Sequence, residues 1–233
     1  RQACIRSSAK ALELAIRHHT ALHLLHVSTA EEMKMTAASK IHNPEITAET
    51  SANYLWFSDK DYDRLGSRVK CNPAIKSEAD REALREGLKN GTIDTIGSDH
   101  APHAEEEKQK CYRQAPSGMP SIQQSLPVLL TVASEEDIPL ERIASAFSEK
   151  PAEVFRIQDR GKLKEGFFAD IVVIDMEKEQ TVTKDSLLYK CGWSPYEGYT
   201  LKGSVETVFV NGRKTVDGRK VTGAPAGERL IFG

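Results

Sequence analysis

The sequence predicts an α/β domain followed by a small β domain. Short apolar segments of strand length alternate with amphipathic helices over residues 1–157, and strands punctuated by glycine replace them over residues 158–233. Strands that alternate with helices pair in parallel through crossover connections. A chain of 233 residues is long enough for one large domain or for a medium and a small one.

The first half of the chain repeats a helix and strand order. Apolar residues at helical spacing predict an amphipathic helix over residues 2–18, and an apolar strand follows at residues 21–27. Ser28 and Thr29, followed by acidic residues, predict the start of the next helix. The same reasoning predicts strands at 45–49, 67–71 and 92–97, and helices at 78–89, 121–133 and 139–147.

The second half is predicted to be rich in β-structure. Strands are expected at residues 161–166, 169–175 and 205–213, and Asn211-Gly212 is a strong hairpin turn signal. An irregular stretch is expected at residues 98–120, after the last predicted strand of the first half. It is too long for an ordinary connection, so we expect a functional loop there.

Composition and charge exclude several classes of protein. With 39% hydrophobic and 28% charged residues the chain is globular. Its 32 basic and 34 acidic residues leave a net charge of −2, so no cationic surface is expected for nucleic acid or anionic lipid. No apolar run approaches the roughly 20 residues that cross a bilayer. Four widely spaced cysteines suggest reduced thiols and a cytoplasmic location.

Polar side chains suited to metal binding or catalysis follow the predicted strands. Because the carboxyl ends of parallel strands meet at one edge, where barrel enzymes assemble their sites, we expect these side chains to converge. Residues 97–103 hold a carboxylate and two imidazoles, which can supply a metal ligand, a general base and a substrate contact. The candidates in chain order are His26, Asn53, Tyr54, Asn72, Asp99, His100 and His103.

Taken one at a time, these residues have plainer explanations. A lone histidine such as His26 is more often packed or capping than a ligand, and an isolated Asp99 often caps a turn. It is their position at corresponding strand ends that favours a site. His23 shares a predicted strand with His26, and their odd separation predicts that they point to opposite faces. Residues His18, His19 and His42 are interpreted as surface residues.

Four segments resemble the dihydroorotase family of the cyclic amidohydrolase superfamily. They are Leu-His-Val-Ser-Thr at 25–29, Lys-Cys-Asn-Pro-Ala-Ile-Lys at 70–76, Ser-Asp-His-Ala-Pro-His at 98–103, and Lys-Cys-Gly-Trp-Ser-Pro-Tyr-Glu-Gly at 190–198. The resemblance implies the C-terminal part of a (β/α)8 TIM-type metal-dependent hydrolase barrel, its last four strands at residues 1–157. A small β-sandwich, the composite domain of such enzymes, is then expected at residues 158–233.

The resemblance also implies a reaction and a site. The reaction is the zinc-dependent, reversible cyclisation of N-carbamoyl-L-aspartate to L-dihydroorotate in pyrimidine biosynthesis. A binuclear zinc centre would supply the nucleophile and the Lewis acid. His26 and Asp99 would bind zinc, and Asp99 would also be the catalytic proton carrier. Substrate would be held by Asn72 and His103, and by the backbone of Gly118, Met119 and Pro120.

Two departures from the family pattern qualify these expectations. A His-x-His zinc motif, an Arg for the substrate carboxylate and a bridging Asp or carboxylated Lys would all lie upstream of Arg1, so a longer protein is expected. Where relatives carry histidine after the sixth strand, this chain has Asn53 and Tyr54. An amide oxygen is a weak zinc ligand and a phenol binds only as phenolate, so a depleted second metal site is expected.

Three functions stay open on the sequence. A dihydroorotase is favoured by Asn72 and by the segment at residues 190–198. A neighbouring cyclic amidohydrolase, such as an allantoinase or a hydantoinase, shares most of the same motifs. The replacement of histidine at Asn53 motivates a catalytically inactive homologue that acts as a structural or regulatory partner. The expected partner is a small-molecule substrate, with a homodimer possible and neither nucleic acid nor membrane.

Overall fold

Three short parallel strands form the sheet of the first half of the chain. The computed structural model describes residues 1–218 and 220–233. The strands β1 (Leu22–Leu24), β2 (Ile46–Ser51) and β3 (Thr95–Gly97) lie in the order β1-β2-β3. Leu24 is in register with Ala48, and Ser51 with Gly97. The carboxyl ends of all three strands therefore lie at one edge, as the alternating pattern predicts.

Helices surround this sheet at the positions that apolar periodicity predicts. The longest are α1 (Gln2–His18), α2 (Ala30–His42), α5 (Glu78–Asn90) and α7 (Ile122–Glu135). Short helices connect them: α3 (Ala52–Trp56), α4 (Asp61–Leu65), a 3-10 helix (Gly66–Val69), α6 (Glu105–Lys108), α8 (Leu140–Ala144), a π-helix (Ser145–Glu149) and α9 (Lys150–Val154). No helix in the described part of the chain has the length and apolarity needed to cross a membrane.

A buried carboxylate ties the first turns of α2 and α5 together. Ser77 and Asp80 form a capping box at the start of α5. The same Asp80 carboxylate accepts hydrogen bonds from the Ala30 amide of α2 and from Arg1. Burial alone raises the pKa of Asp80, but the hydrogen bonds from Arg1, Ser77 and Ala30 outweigh it and lower the pKa from 3.8 to about 2.

Replacement of this carboxylate is expected to destabilise the fold in a pH-dependent way. Because the folded-state pKa lies below the unfolded one, the contribution is present above about pH 4 and is lost as the pH falls through about 2. We expect Asp80→Asn to lower the free energy of unfolding at neutral pH by about 2 kcal/mol. Urea unfolding at several pH values measures this. A difference that does not shrink between neutral pH and about pH 3 would contradict the assignment.

The predicted strand at residues 67–71 is wrong. The chain enters this region through Gly66 with φ +53°, and Gly66–Val69 forms a 3-10 helix instead. The Lys70 amide donates to the Ser67 carbonyl, which closes a turn rather than a ladder. Val69 and Cys71 are buried, so the apolar pattern reflects core packing and not strand pairing. The parallel sheet of the described residues consequently has three strands, whereas the last four strands of a barrel were expected over residues 1–157.

The second half of the chain forms one antiparallel sheet. Its strands, in the order β4-β5-β6-β7, are β4 (Ile171–Thr181), β5 (Thr200–Val210), β6 (Arg213–Asp217) and β7 (Lys220–Val221). The hairpin turn at Asn211-Gly212 is confirmed, with positive φ at both residues. The strand expected at residues 161–166 is wrong, since Gly161 and Gly166 both turn the chain with positive φ. A single sheet is described, whereas a sandwich was expected.

One hydrophobic core joins the two halves. Helix α7 packs against β5 on one side and α3 on the other. Trp193 and Tyr196, from the segment before β5, are fully buried together with Leu55 and Phe57 of the first half. The ring centroids of Phe57 and Tyr196 lie 4.9 Å apart. The segment at residues 190–198 therefore belongs to the packing around the strand ends.

Candidate functional site

The strand ends bring together one imidazole and two carboxylates. His26 follows β1, Asp99 follows β3, and Glu49 lies within β2 between them. His26 Nε2 is 4.0 Å from Asp99 Oδ1, and His26 Nδ1 is 3.2 Å from Glu49 Oε1. The two predicted residues thus face each other, and the imidazole lies between two carboxylates, although its Nδ1 atom makes no hydrogen bond.

Both outer members of this cluster have unusual backbone conformations. His26 has φ +55° and Asp99 has φ +45°. Positive φ is uncommon outside glycine, although His and Asp tolerate it better than most residues. Such residues persist where the surrounding structure holds them, often at functional sites. In both cases the turn directs the side chain across the carboxyl edge of the sheet.

Glu49 is a site residue that the sequence reasoning missed. It is buried on β2, where a carboxylate is rarely found without partners. His23 Nε2 lies 4.0 Å from Glu49 Oε2, so both histidines approach the same side chain. The expectation that His23 and His26 point to opposite faces is therefore wrong. Strand β1 ends at Leu24, and the positive φ of His26 breaks the alternation that the expectation assumed.

The electrostatics of the three groups are coupled. The Glu49 carboxylate raises the pKa of His26 against the opposing effect of burial. Burial raises the pKa of Glu49, but its contacts with His23 and His26 outweigh this and lower it. Burial raises the pKa of Asp99, with His26 opposing and Glu49 reinforcing the shift. A carboxyl group shifted towards neutral pH is better suited to accept and return a proton.

Gly97 leaves the space that the Glu49 carboxylate occupies. A Cβ atom at Gly97 would lie 2.7 Å from the Cδ atom of Glu49, closer than carbon atoms approach without a shift. We expect Gly97→Ala to displace the Glu49 carboxylate from His26 and to lower metal affinity by about 10- to 100-fold, as losses around a metal ligand do. Titration with zinc measures this. Gly91→Ala, at an exposed helix end, is a control for glycine replacement, and equal affinities in the two variants would contradict the role of Gly97.

Asn53 and Tyr54, at the replaced ligand position, are both engaged elsewhere. The Tyr196 hydroxyl donates to Asn53 Oδ1 at 2.7 Å, and Asn53 Nδ2 donates to the Ser98 carbonyl at 3.4 Å. The Tyr54 hydroxyl donates to the Pro73 carbonyl at 2.7 Å. Burial strongly raises the pKa of Tyr54, which disfavours the phenolate that metal binding would require.

His100 is bound to the start of α7. Its Nδ1 atom accepts a hydrogen bond from the Ser121 amide at 3.1 Å, and burial lowers its pKa. The Ser121 hydroxyl donates to the Ser98 carbonyl at 2.6 Å. The Ala101 amide donates to the Met119 carbonyl at 3.1 Å. The chain on both sides of Asp99 is therefore anchored, and His100 serves that anchor.

The remaining candidates are Asn72 and the residues His103, Gly118, Met119 and Pro120 of the loop at residues 98–120. His103 Nε2 lies 3.1 Å from the Ser117 carbonyl, and Trp193 Nε1 donates to the His103 carbonyl at 2.8 Å. A Cβ at Gly118 would lie 2.6 Å from a backbone oxygen, so only glycine fits there. Met119 is fully buried, and its carbonyl accepts from the Ala101 amide. Pro120, also buried, and Asn72, exposed before a cis Asn72-Pro73 bond, complete the set.

A buried lysine holds this loop from inside. Lys108 Nζ donates to three carbonyls, those of Lys70 at 3.1 Å, Pro116 at 2.9 Å and Gly118 at 2.7 Å. Burial lowers the pKa of Lys108 to about 8, so the ammonium form with three donors still prevails at neutral pH. Neither its role nor its burial is visible in the sequence, where it stands in an acidic and basic run typical of a solvated surface.

The donor set of this site fits part of a metal shell. Among residues 1–218 and 220–233, no three His, Cys, Asp or Glu side chains form a group that could hold a metal ion. His26 and Asp99 supply one nitrogen and one oxygen, whereas catalytic zinc takes three protein ligands. The Glu49 carboxylate lies behind His26, where metal-binding histidines commonly have a hydrogen-bond partner, but His26 Nδ1 makes no hydrogen bond to it. These residues fit a metal site that needs further ligands.

Comparison with known proteins places this geometry in a family. The model of the amidohydrolase family matches residues 6–215, which is most of the chain. This chain belongs to the amidohydrolase family. The resemblance to dihydroorotases is also confirmed. The dihydroorotase of Anoxybacillus flavithermus is 38% identical over 192 residues, covering 82% of this chain and 45% of that protein. The dihydroorotase of Pyrococcus furiosus is 31% identical, covering 97% and 52%.

Solved structures show the same fold. The L-hydantoinase (dihydropyrimidinase) from Arthrobacter aurescens superimposes with a TM-score of 0.87 at 28% identity, covering 94% of this chain and 49% of that chain. A D-hydantoinase superimposes with a TM-score of 0.85 at 26% identity, covering 93% and 49%. The chain spans about half the length of the curated relatives and solved structures it matches. Its α/β fold is that of these amidohydrolases.

Proposed function

We propose that this amidohydrolase chain contributes to a metal-dependent dihydroorotase, an enzyme that opens and closes a cyclic amide. The observation that carries the proposal is the convergence of His26, Glu49 and Asp99 at the carboxyl edge of the parallel sheet. Asp99 and His26 face each other across 4.0 Å. The identities of 31% to 38% to proteins named dihydroorotase favour that substrate over other cyclic amides.

His26 and Asp99 are the residues of this chain that would hold the metal. When bound, zinc or a similar divalent ion supplies Lewis acidity and makes water nucleophilic at neutral pH. The Glu49 carboxylate lies 3.2 Å from His26 Nδ1, and His26 Nε2 faces Asp99 Oδ1 at 4.0 Å. In the hydrolytic direction the Asp99 carboxylate accepts a proton at Oδ1 and returns it to the ring nitrogen of the leaving amide.

The loop at residues 98–120 would bind the substrate ring. His103 presents an imidazole next to Gly118, and Asn72 presents an exposed amide, so both supply hydrogen-bonding groups suited to a carboxylate and an amide carbonyl. The backbone of Gly118, Met119 and Pro120, at the end of the same loop, would line the substrate pocket. The metal proposed is zinc, and a second zinc ion bound through Asn53 is disfavoured because the Asn53 oxygen already accepts from Tyr196.

Metal analysis combined with a hydrolysis assay tests the proposal. Elemental analysis of the intact protein is expected to find one to two zinc ions per chain, and dihydroorotate is expected to be hydrolysed faster than hydantoin or allantoin. Faster hydrolysis of hydantoin would favour the activity named for the solved structures. A folded protein that binds no metal and hydrolyses none of the three compounds would favour the inactive homologue instead.

A further inference from the structure

Asn53 occupies a position where the family resemblance leads one to expect a metal ligand, yet its amide group has two protein partners. Its Oδ1 accepts from the Tyr196 hydroxyl at 2.7 Å, and its Nδ2 donates to the Ser98 carbonyl at 3.4 Å. Asn53 and Tyr196 are both almost completely buried. The amide is therefore oriented by Tyr196, with its nitrogen towards Ser98 and its oxygen occupied.

The Ser98 carbonyl is the backbone group immediately before Asp99. It also accepts from the Ser121 hydroxyl at 2.6 Å, so two side chains from different helices fix the same oxygen. Asp99 itself has φ +45°, a conformation that is uncommon outside glycine and that contacts of the surrounding chain stabilise. The direction of the Asp99 carboxylate depends on that φ, and hence on how firmly the preceding peptide is held.

We propose that Asn53 and Tyr196 are positioning residues that fix the Asp99 carboxylate in the site, and that Asn53 is not a metal ligand. The contact runs from the segment at residues 190–198, through Asn53, to the peptide before Asp99. This contact gives a role to the Tyr196 hydroxyl. Core packing alone does not explain the hydroxyl, because phenylalanine would pack equally well. The expected effect on catalysis rests on the proposed function, whereas the hydrogen bonds of Asn53 and Tyr196 do not depend on it.

Three variants separate this role from metal binding. Tyr196→Phe keeps the ring packing and removes only the donor to Asn53. Asn53→Ala removes both contacts. Asn53→Asp keeps an acceptor for Tyr196 and loses the donor to Ser98, while offering a stronger metal ligand than the amide. Tyr199→Phe is the matched control, since Tyr199 also packs against Phe57 and its hydroxyl contacts Asp61, away from Ser98.

Steady-state kinetics with dihydroorotate and zinc content per chain are the first readouts. We expect all three site variants to lose about 10- to 100-fold in kcat with KM unchanged, because partners behind a reactive group typically contribute that much, and any loss of zinc through the displaced Asp99 is expected in Tyr196→Phe as well. Tyr199→Phe is expected to retain kcat. Loss of zinc in Asn53→Ala that Tyr196→Phe does not share would show that Asn53 is itself a ligand, and wild-type kcat in Asn53→Asp would show that Asn53 is idle; either result overturns the proposal.

Hydrogen exchange of the metal-free protein gives a readout that needs no activity. The His100 amide donates to Ser98 Oγ and the Ala101 amide to the Met119 carbonyl, so both report on this turn. Their exchange is expected to be faster in Tyr196→Phe than in wild type or Tyr199→Phe. Equal exchange in all three proteins overturns the positioning role. If exchange is faster in Tyr196→Phe than in wild type, but the wild-type protein does not hydrolyse dihydroorotate, the proposed function fails and the positioning role stands.

Discussion

Asp99→Asn is expected to abolish hydrolysis of dihydroorotate, lowering kcat by about 1000-fold or more, in the range of lost general acid-base catalysis. Asparagine has the same shape and tolerates positive φ as well as aspartate does, so the backbone at φ +45° is retained. What is lost is the charge facing His26 and the oxygen that accepts a proton. The effect therefore reports on chemistry rather than on folding.

The Asp99 variant needs a control and a second measurement. Asp185→Asn removes a carboxylate from an exposed 3-10 helix (Lys184–Ser186) and is expected to leave kcat unchanged. Zinc content distinguishes the two roles of Asp99, because loss of a ligand lowers metal affinity while loss of a proton carrier alone does not. Activity of Asp99→Asn within about tenfold of wild type, with metal bound, would mean that another group carries the proton.

Lys108→Met is expected to open the loop at residues 98–120. Methionine has a similar length but no donors, so the carbonyls of Pro116 and Gly118 lose the ammonium that binds them. The Lys70 carbonyl keeps the Gly118 amide as a donor. Two unpaired buried carbonyls cost about 3 kcal/mol together, which corresponds to about 100-fold faster local exchange. Exchange of the Ala101 and Gly118 amides measures this.

Substrate binding is expected to follow the loop. Because Gly118 and His103 lie in the segment that Lys108 holds, Lys108→Met should raise KM for dihydroorotate more than it lowers kcat. Lys110→Met, an exposed lysine two residues further on, is the matched control and is expected to change neither exchange nor KM. Wild-type exchange in Lys108→Met would show that the packing of Trp193 and the helix α6 holds the loop without the ammonium.

The sequence predicted the parts of the fold that depend on local pattern. Helices over residues 2–18, 78–90 and 122–135 follow apolar periodicity, and the hairpin at Asn211-Gly212 follows turn chemistry. The predicted strand at residues 67–71 failed because a short apolar run is compatible with strand, turn or core, and Gly66 decided for a turn. Periodicity alone cannot assign the secondary structure of such short segments.

Local sequence pattern likewise predicted some residues of the candidate site and not others. His26 and Asp99 could be predicted because each follows a strand, and parallel strands end at one edge. Glu49 could not be, because a charge within a strand normally indicates a solvent-facing side, and only the approach of His23 and His26 explains its burial. Lys108 in a charged run looked like surface for the same reason.

The sequence by itself determined that this chain is an α/β unit with metal-competent residues at its strand ends and motifs of the dihydroorotase family. Only the tertiary structure decided which buried side chains contact and position those residues. Asn53 and Tyr196 are separated by 143 positions, and the three carbonyls around Lys108 come from two loops. Periodicity and turn signals report on neighbours within a few residues, whereas these contacts form only when the helices and sheets pack together.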